Sequence, residues 1–135
     1  MLDGFIKIPI SRGRSNPALS ITNNGFIFNS HVVTRMQRAS YINILINKDK
    51  KQIAIQACDD FLNDKFSFFR SEKNLLYGVH FSNRNLQLMI SNMMHWDLDN
   101  FNYRANGFYI ENENAMIFDL NNSRKFIKRL KKVTY

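Results

Sequence analysis

The sequence predicts an α+β fold: two pseudo-repeated strand–helix–β-hairpin or meander halves sharing one core, plus a basic C-terminal helix. Three observations carry this expectation. The run Gly25-Phe26-Ile27-Phe28-Asn29-Ser30 returns as Gly78-Val79-His80-Phe81-Ser82-Asn83, with Gly25 and Gly78, Phe28 and Phe81, and Met36 and Met89 each 53 residues apart. Apolar runs rich in β-branched and aromatic residues alternate with polar turns. The segment Arg124–Lys132 sets six cations around an apolar stripe. The 135 residues, 44% hydrophobic with twelve Phe, suit a single domain. Its first half falls at about 18–58, a connection at 59–74, the second half at about 75–121 and the basic helix at 123–133.

Taken in order, Met1–Ile10 alternates loosely and reads as an edge strand, since Pro9 removes a ladder donor. Ser11–Pro17 is a small, polar loop or arm. It carries Arg12 and Arg14, which suit either a phosphate backbone or a plain linker. Leu19–Thr22 is a short strand, and Asn23-Asn24-Gly25 turns the chain because Asn and Gly tolerate positive φ. Gly25–Phe28 resumes the strand. Asn29 or Ser30 then caps a short helix whose apolar face is Val32, Val33 and Met36. Arg35 and Arg38 fall near its C-terminal end, where cations suit the helix dipole and where an anionic ligand is also within reach. Tyr41–Asn47 and Gln52–Cys58 make a hairpin across a polar loop.

Asp59–Arg70 is a Phe-rich connection and Ser71–Asn74 a turn. Leu75–Phe81 is expected to open the second half as a strand. Ser82 or Asn83 caps a longer helix to about Met94, with Leu86, Met89, Ile90 and Met93 on one stripe. Trp96 is expected to pack between the halves. Phe101–Arg104, Gly107–Ile110 and Ala115–Leu120 read as three strands turning at Ala105-Asn106 and at Glu111–Asn114. Ser123–Val133 reads as a helix with Phe126, Ile127, Leu130 and Val133 on its apolar side and Lys/Arg elsewhere.

Net charge is +8, and six of the nineteen basic residues lie between Arg124 and Lys132; the other thirteen face eleven acids. The body is near neutral and the C-terminal segment is electropositive. That asymmetry suits a polyanionic partner, usually nucleic acid, and equally a solvated tail that aids solubility. Eighteen Asn, with many Lys and Ile, fit an AT-rich genome, that of a low-GC bacterium, its phages or its mobile elements. The single Cys58 allows no intrachain disulfide and suits a reducing cytosol; its acidic neighbours should raise its pKa. No apolar run reaches the roughly 18 residues of a membrane span, and Asp3 interrupts any signal core. The expected location is cytoplasmic, with no membrane partner.

Catalytic signals are missing from the sequence. His31, His80 and His95 are far apart and one Cys builds no zinc site. No phosphate-binding loop, dinucleotide fingerprint or nucleophile elbow occurs. The expectation is a protein that is not an enzyme, with no cofactor and no metal.

Strand, Asn/Gly turn, Gly-x-x-Phe-Asn, short helix, Tyr-Ile-x-Ile strand, charged turn and Ile-x-Ile strand occupy Ile21–Ile55. This order resembles the swapped-hairpin β domain of the AbrB/MazE/SpoVT type. The family usually has Pro where Asn29 stands and Gly-Asp where Ala39-Ser40 stands. The resemblance implies a DNA-binding β domain that needs two copies to close its barrel. Over its length the chain also resembles small proteins of low-GC Gram-positive bacteria and their mobile elements. Trp96-Asp97-Leu98, Gly107-x-Tyr109-Ile110-Glu111 and Ala115–Leu120 carry that likeness, and it brings no activity with it.

Two functions compete at this point. The first is an AbrB-like nucleic-acid-binding regulator, a monomer with internal pseudo-symmetry or a homodimer. Its phosphate contacts would be Arg12, Arg14, Arg35, Arg38, Arg124, Lys125, Lys128, Arg129, Lys131 and Lys132, with little base readout. The second is an inhibitor of a bacterial defence nuclease, of the anti-CRISPR type, acting by protein or guide-RNA binding.

Overall fold

Among the described residues 41% are strand and 25% helical, so one sheet, not a strand–helix alternation, carries the fold. The structure, a computed structural model, describes residues 3–6, 16–59 and 65–128. In chain order the elements are β1 (Ala18–Thr22), β2 (Gly25–Phe28), α1 (Ser30–Arg35), β3 (Tyr41–Asn47), β4 (Gln52–Ala57), β5 (Phe66–Ser67), α2 (Lys73–Tyr77), β6 (Val79–Phe81), α3 (Arg84–Met94), β7 (Phe101–Ile110), β8 (Ala115–Asp119) and β9 (Arg124–Ile127). Spatial order in the sheet is β5-β3-β4-β8-β7-β1-β2-β6, with β9 beside β7. Every pairing is antiparallel. The sheet curls into a half-barrel. Its two ends come within side-chain reach, with the Phe66 and Phe81 rings 4.9 Å apart.

Alternation along each strand sorts residues to the two faces. Inward go Leu19, Ile21, Phe26, Phe28, Ile42, Ile53, Ile55, Met116 and Phe118, and they close a core with Val32, Val33 and Met36 from α1 and its end and Ile90 from α3. Asn29 joins three segments. Its Oδ1 accepts from the Val32 and Ala18 N–H groups at 3.2 and 3.1 Å, and its Nδ2 donates to the Asn16 carbonyl at 2.9 Å. Asn83 caps α3 by accepting from the Leu86 N–H at 3.0 Å. The expected β3–β4 hairpin forms, from Ile42 opposite Ala57 to Asn47 opposite Gln52.

The expected architecture of two strand–helix–hairpin halves plus a C-terminal helix does not form. The 53-residue offset would put the counterpart of β1 at residues 71–75. There the chain instead enters the helix α2, and the strand foreseen from Leu75 begins only at Val79. The repeated runs are neighbours in one sheet: β2 and β6 pair antiparallel with Ile27 opposite His80. Their glycines have a steric role. A Cβ on Gly25 (φ +142) would lie 2.5 Å from the Phe81 carbonyl oxygen, and one on Gly78 (φ +74) would run into the Phe28 carbonyl oxygen.

The second correction concerns β7. It runs unbroken from Phe101 to Ile110, through the expected turn at Ala105-Asn106. β8 pairs only with Gly107–Ile110, which leaves the Phe101–Arg104 edge in need of partners. β9 supplies them, pairing Arg124–Ile127 with Arg104–Phe101. Unpaired ladder groups on an apolar sheet are costly, and Phe126-Ile127 suits an extended chain. Sheet pairing therefore overrides the helical spacing of the segment, and Arg124–Ile127 is strand, not helix. Arg12, Arg14, Arg129, Lys131 and Lys132 lie outside the described residues. Trp96, expected between two halves, stacks on Tyr103 with ring centroids 4.0 Å apart. Among the described residues no helix is long and apolar enough to cross a membrane.

Candidate nucleic-acid interface

Cations and aromatics converge on the outer face of β7 and β9. The even-numbered residues of β7 point outward, because Tyr103 and Ala105 are buried and alternation is strict along a strand. Asn102, Arg104, Asn106 and Phe108 therefore share the outer face. Arg104 lies directly opposite Arg124, and Asn102 opposite Phe126. Neither β7 nor β9 contains an acidic residue, and neither do the next strands β1, β2 and β6. Asp119, at the end of β8, is the one acid in any of the nine strands. Its carboxylate accepts from Asn121 (backbone N–H 3.1 Å, side chain 3.0 Å) and from the Asn122 side chain at 2.8 Å. Like charges directly opposite across a ladder repel, and no acid on β7, β9, β1, β2 or β6 offsets the Arg104–Arg124 pair. Phe108 is 72% and Phe126 45% exposed on this same face. Asn102 Oδ1 is buried with no hydrogen-bond partner.

Phe108 also lines a depression of about 780 Å³ between α1 and the far end of β7, with His31, Arg35 and Glu111 around it. The Arg35 guanidinium carbon sits 5.5 Å from the Tyr109 ring centroid. That ring is held in turn, since Tyr109 Oη donates to Asn114 Oδ1 at 2.7 Å and accepts from Gln37 Nε2 at 3.3 Å. From Arg104 to Phe108 the strand advances about 13 Å at roughly 3.3 Å per residue. The depression, where Arg35 lies over Tyr109 on the core side of β7, and the outward Arg pair are thus separate features of one strand.

The cations expected from the sequence do not all meet here. Arg124 does, and Lys128 follows β9, its N–H donating to the Asn100 carbonyl at 3.1 Å; Arg35 lies instead over Tyr109, on the other face of β7. Arg38 turns elsewhere, 6.0 Å from the Phe69 ring centroid. Lys125 alternates to the opposite face, with Nζ 3.8 Å from the Phe101 ring centroid. Arg104 and Phe108 were missed. Reading Phe101–Ile110 as one strand would have placed Arg104 and Phe108 together on the outward series Asn102, Arg104, Asn106, Phe108 and Ile110.

Lys125 also acts on Asp97. The Asp97 carboxyl is held below its usual pKa, first by the Asn100 side chain, then by the Asp99 and Asn100 backbone and by Lys125, against the opposing effect of desolvation. A depressed pKa means that the ionised form stabilises the fold above about pH 4. That contribution is lost as pH falls through the folded value. Asp97→Asn should therefore lower the melting temperature near neutral pH, and the gap from wild type should narrow below about pH 4. A pH-independent gap in thermal melts would contradict this assignment. At Cys58 burial raises the thiol pKa first and Asp59 adds to it, with Lys65 opposing. The direction is the one read from the sequence, with burial as the larger cause. Among the described residues no three His, Cys, Asp or Glu side chains gather where a metal could bind.

Comparison with known proteins adds no relative: no family model, curated protein or solved structure matches the chain.

Proposed function

We propose that the protein binds nucleic acid without catalysis, gripping phosphates with arginine and lysine side chains on the outer face of β7 and β9. The observation that carries this reading is the Arg104–Arg124 cross-strand pair on acid-free strands. A polyanion relieves that repulsion at both residues at once. The AbrB-type resemblance of Ile21–Ile55 points the same way, to a regulator of a bacterium or mobile element. The concentration of positive charge after Arg124 adds a general attraction to polyanions.

Arg104→Gln/Arg124→Gln is the test. Each phosphate contact contributes about 0.7 to 0.9 to the slope of log Kd against log salt. The double variant should therefore bind a labelled oligonucleotide with a slope smaller by about 1.4 to 1.8 between roughly 50 and 200 mM salt. An unchanged slope sinks the proposal. One observation favours the second reading, an inhibitor of a bacterial defence nuclease that binds protein. Ile127, beside Phe126 and the basic run, is 83% exposed. Capture from host lysate that survives nuclease treatment selects that reading.

A further inference from the structure

We infer that the ligand is single-stranded nucleic acid, with one base stacked on Phe108 and the adjoining phosphate held by Arg35 and His31. This rests on the nucleic-acid reading above and sharpens it to a substrate class. Phe108 is the most exposed aromatic of the sheet, at 72%, yet its chain neighbours on that face are Asn106 and, further along, Arg104. On the other side stands Ile110, and across the sheet the row continues through Ile117, Ala54 and the half-exposed Leu45, so the ring ends an apolar row beside the depression. Its cross-strand partner is Ile117, and the exposed ring borders the depression. A π-face standing beside a guanidinium and an imidazole matches a nucleotide: the ring takes the base and the cations take the phosphate.

Three features favour a single strand over a duplex. In a duplex the base faces are already stacked on each other, so a surface ring finds only the backbone and the base edges; in a single strand they are free to meet it. A single strand is also flexible enough to reach the Arg104–Arg124 pair, about 13 Å along β7 from Phe108, where Phe126 offers a second exposed ring. The depression also carries Glu111. A carboxylate repels a phosphate but accepts from a base N–H, the ring N–H of thymine included, so the base edge, not the backbone, belongs on that side. Arg35 is pre-positioned by its stacking over Tyr109, which lowers the cost of ordering it on binding.

The experiment uses the full chain and two labelled probes, an oligothymidine of about 12 nucleotides and a hairpin duplex of matched charge. Base–aromatic stacking is worth about 1–3 kcal/mol. Phe108→Ala should therefore weaken oligothymidine binding roughly 5- to 100-fold and duplex binding less than about twofold. Phe108→Tyr should retain affinity. Phe108→Leu, which stays apolar but cannot stack, should not. Exposure of the ring means that all three variants should melt like wild type. If Phe108→Ala or Phe108→Leu binds oligothymidine as wild type does, or if both probes weaken equally, the inference is overturned. The nucleic-acid reading then still stands, provided Arg104→Gln/Arg124→Gln lowers the salt slope. Failure of wild type to bind either probe overturns both.

Discussion

Gly78→Ala is expected to cost at least about 3 kcal/mol of stability, from backbone strain plus a collision with backbone. Gly78 has φ 74 and ψ −160, a region that is essentially glycine-only. The added methyl would meet the Phe28 carbonyl oxygen and lie 3.0 Å from Asn29 Cα. Neither obstacle is a flexible side chain. Phe28 is paired with Val79 in the β2–β6 ladder, and Asn29 is fixed by its three hydrogen bonds. For a domain with about 5–15 kcal/mol in all, such a loss should lower Tm by about 10 °C or more. Gly4 is the control. It too has positive φ, at +87, but nothing lies within 4 Å of its would-be Cβ, so Gly4→Ala should shift Tm far less. Equal shifts at the two glycines, read by circular dichroism, would show that β2 and β6 do not approach as described.

Phe28→Ala is expected to cost about 3–5 kcal/mol, the range for removing a buried aromatic ring. Phe28 is 1% exposed, and its ring centroid lies 5.7 Å from those of Phe68, Phe81 and Phe118. Those three come from the β5 end of the sheet, from β6 and from β8, so a single ring links its curled ends to its middle. Truncation leaves a cavity that backbone pairing on both sides of β2 prevents from collapsing. Urea unfolding should show a lower midpoint with an unchanged m value. Phe28→Leu, which keeps most of the volume, should cost about half as much or less. A midpoint for Phe28→Ala within error of wild type would remove Phe28 from the centre of the core.

Both predictions rest on residues that stand out in the sequence. Gly25–Ser30 and Gly78–Asn83 were recognisable because a glycine that must adopt positive φ, a Phe that must be buried and an Asn that must cap leave a local signature. The outer face was less legible. Arg35 and Arg124 were read as cations, but no pattern within one segment tells that Arg104 faces Arg124 or that Arg38 turns to Phe69. Those neighbours come from strands distant in the chain. The masking was strongest at Phe108, because Ala105-Asn106 looks like a turn until the strand on each side of it has a partner.

By itself the sequence determined what acts over a few residues: a cap at Asn29 or Ser30 and one at Ser82 or Asn83, the β3–β4 hairpin, the apolar face of α1 and the uneven placement of positive charge; of the α3 stripe Ile90 is buried while Met89 is exposed. Each follows from side-chain shape, local hydrogen bonding or simple counting. Only the tertiary structure decided that the repeated runs lie side by side in one sheet, that β7 runs straight through, and that Arg124–Ile127 is a strand. The reason is the same in each case. Backbone N–H and C=O groups on a sheet edge must find partners, the partner comes from elsewhere in the chain, and that long-range pairing outweighs the weak local preference written in the segment itself.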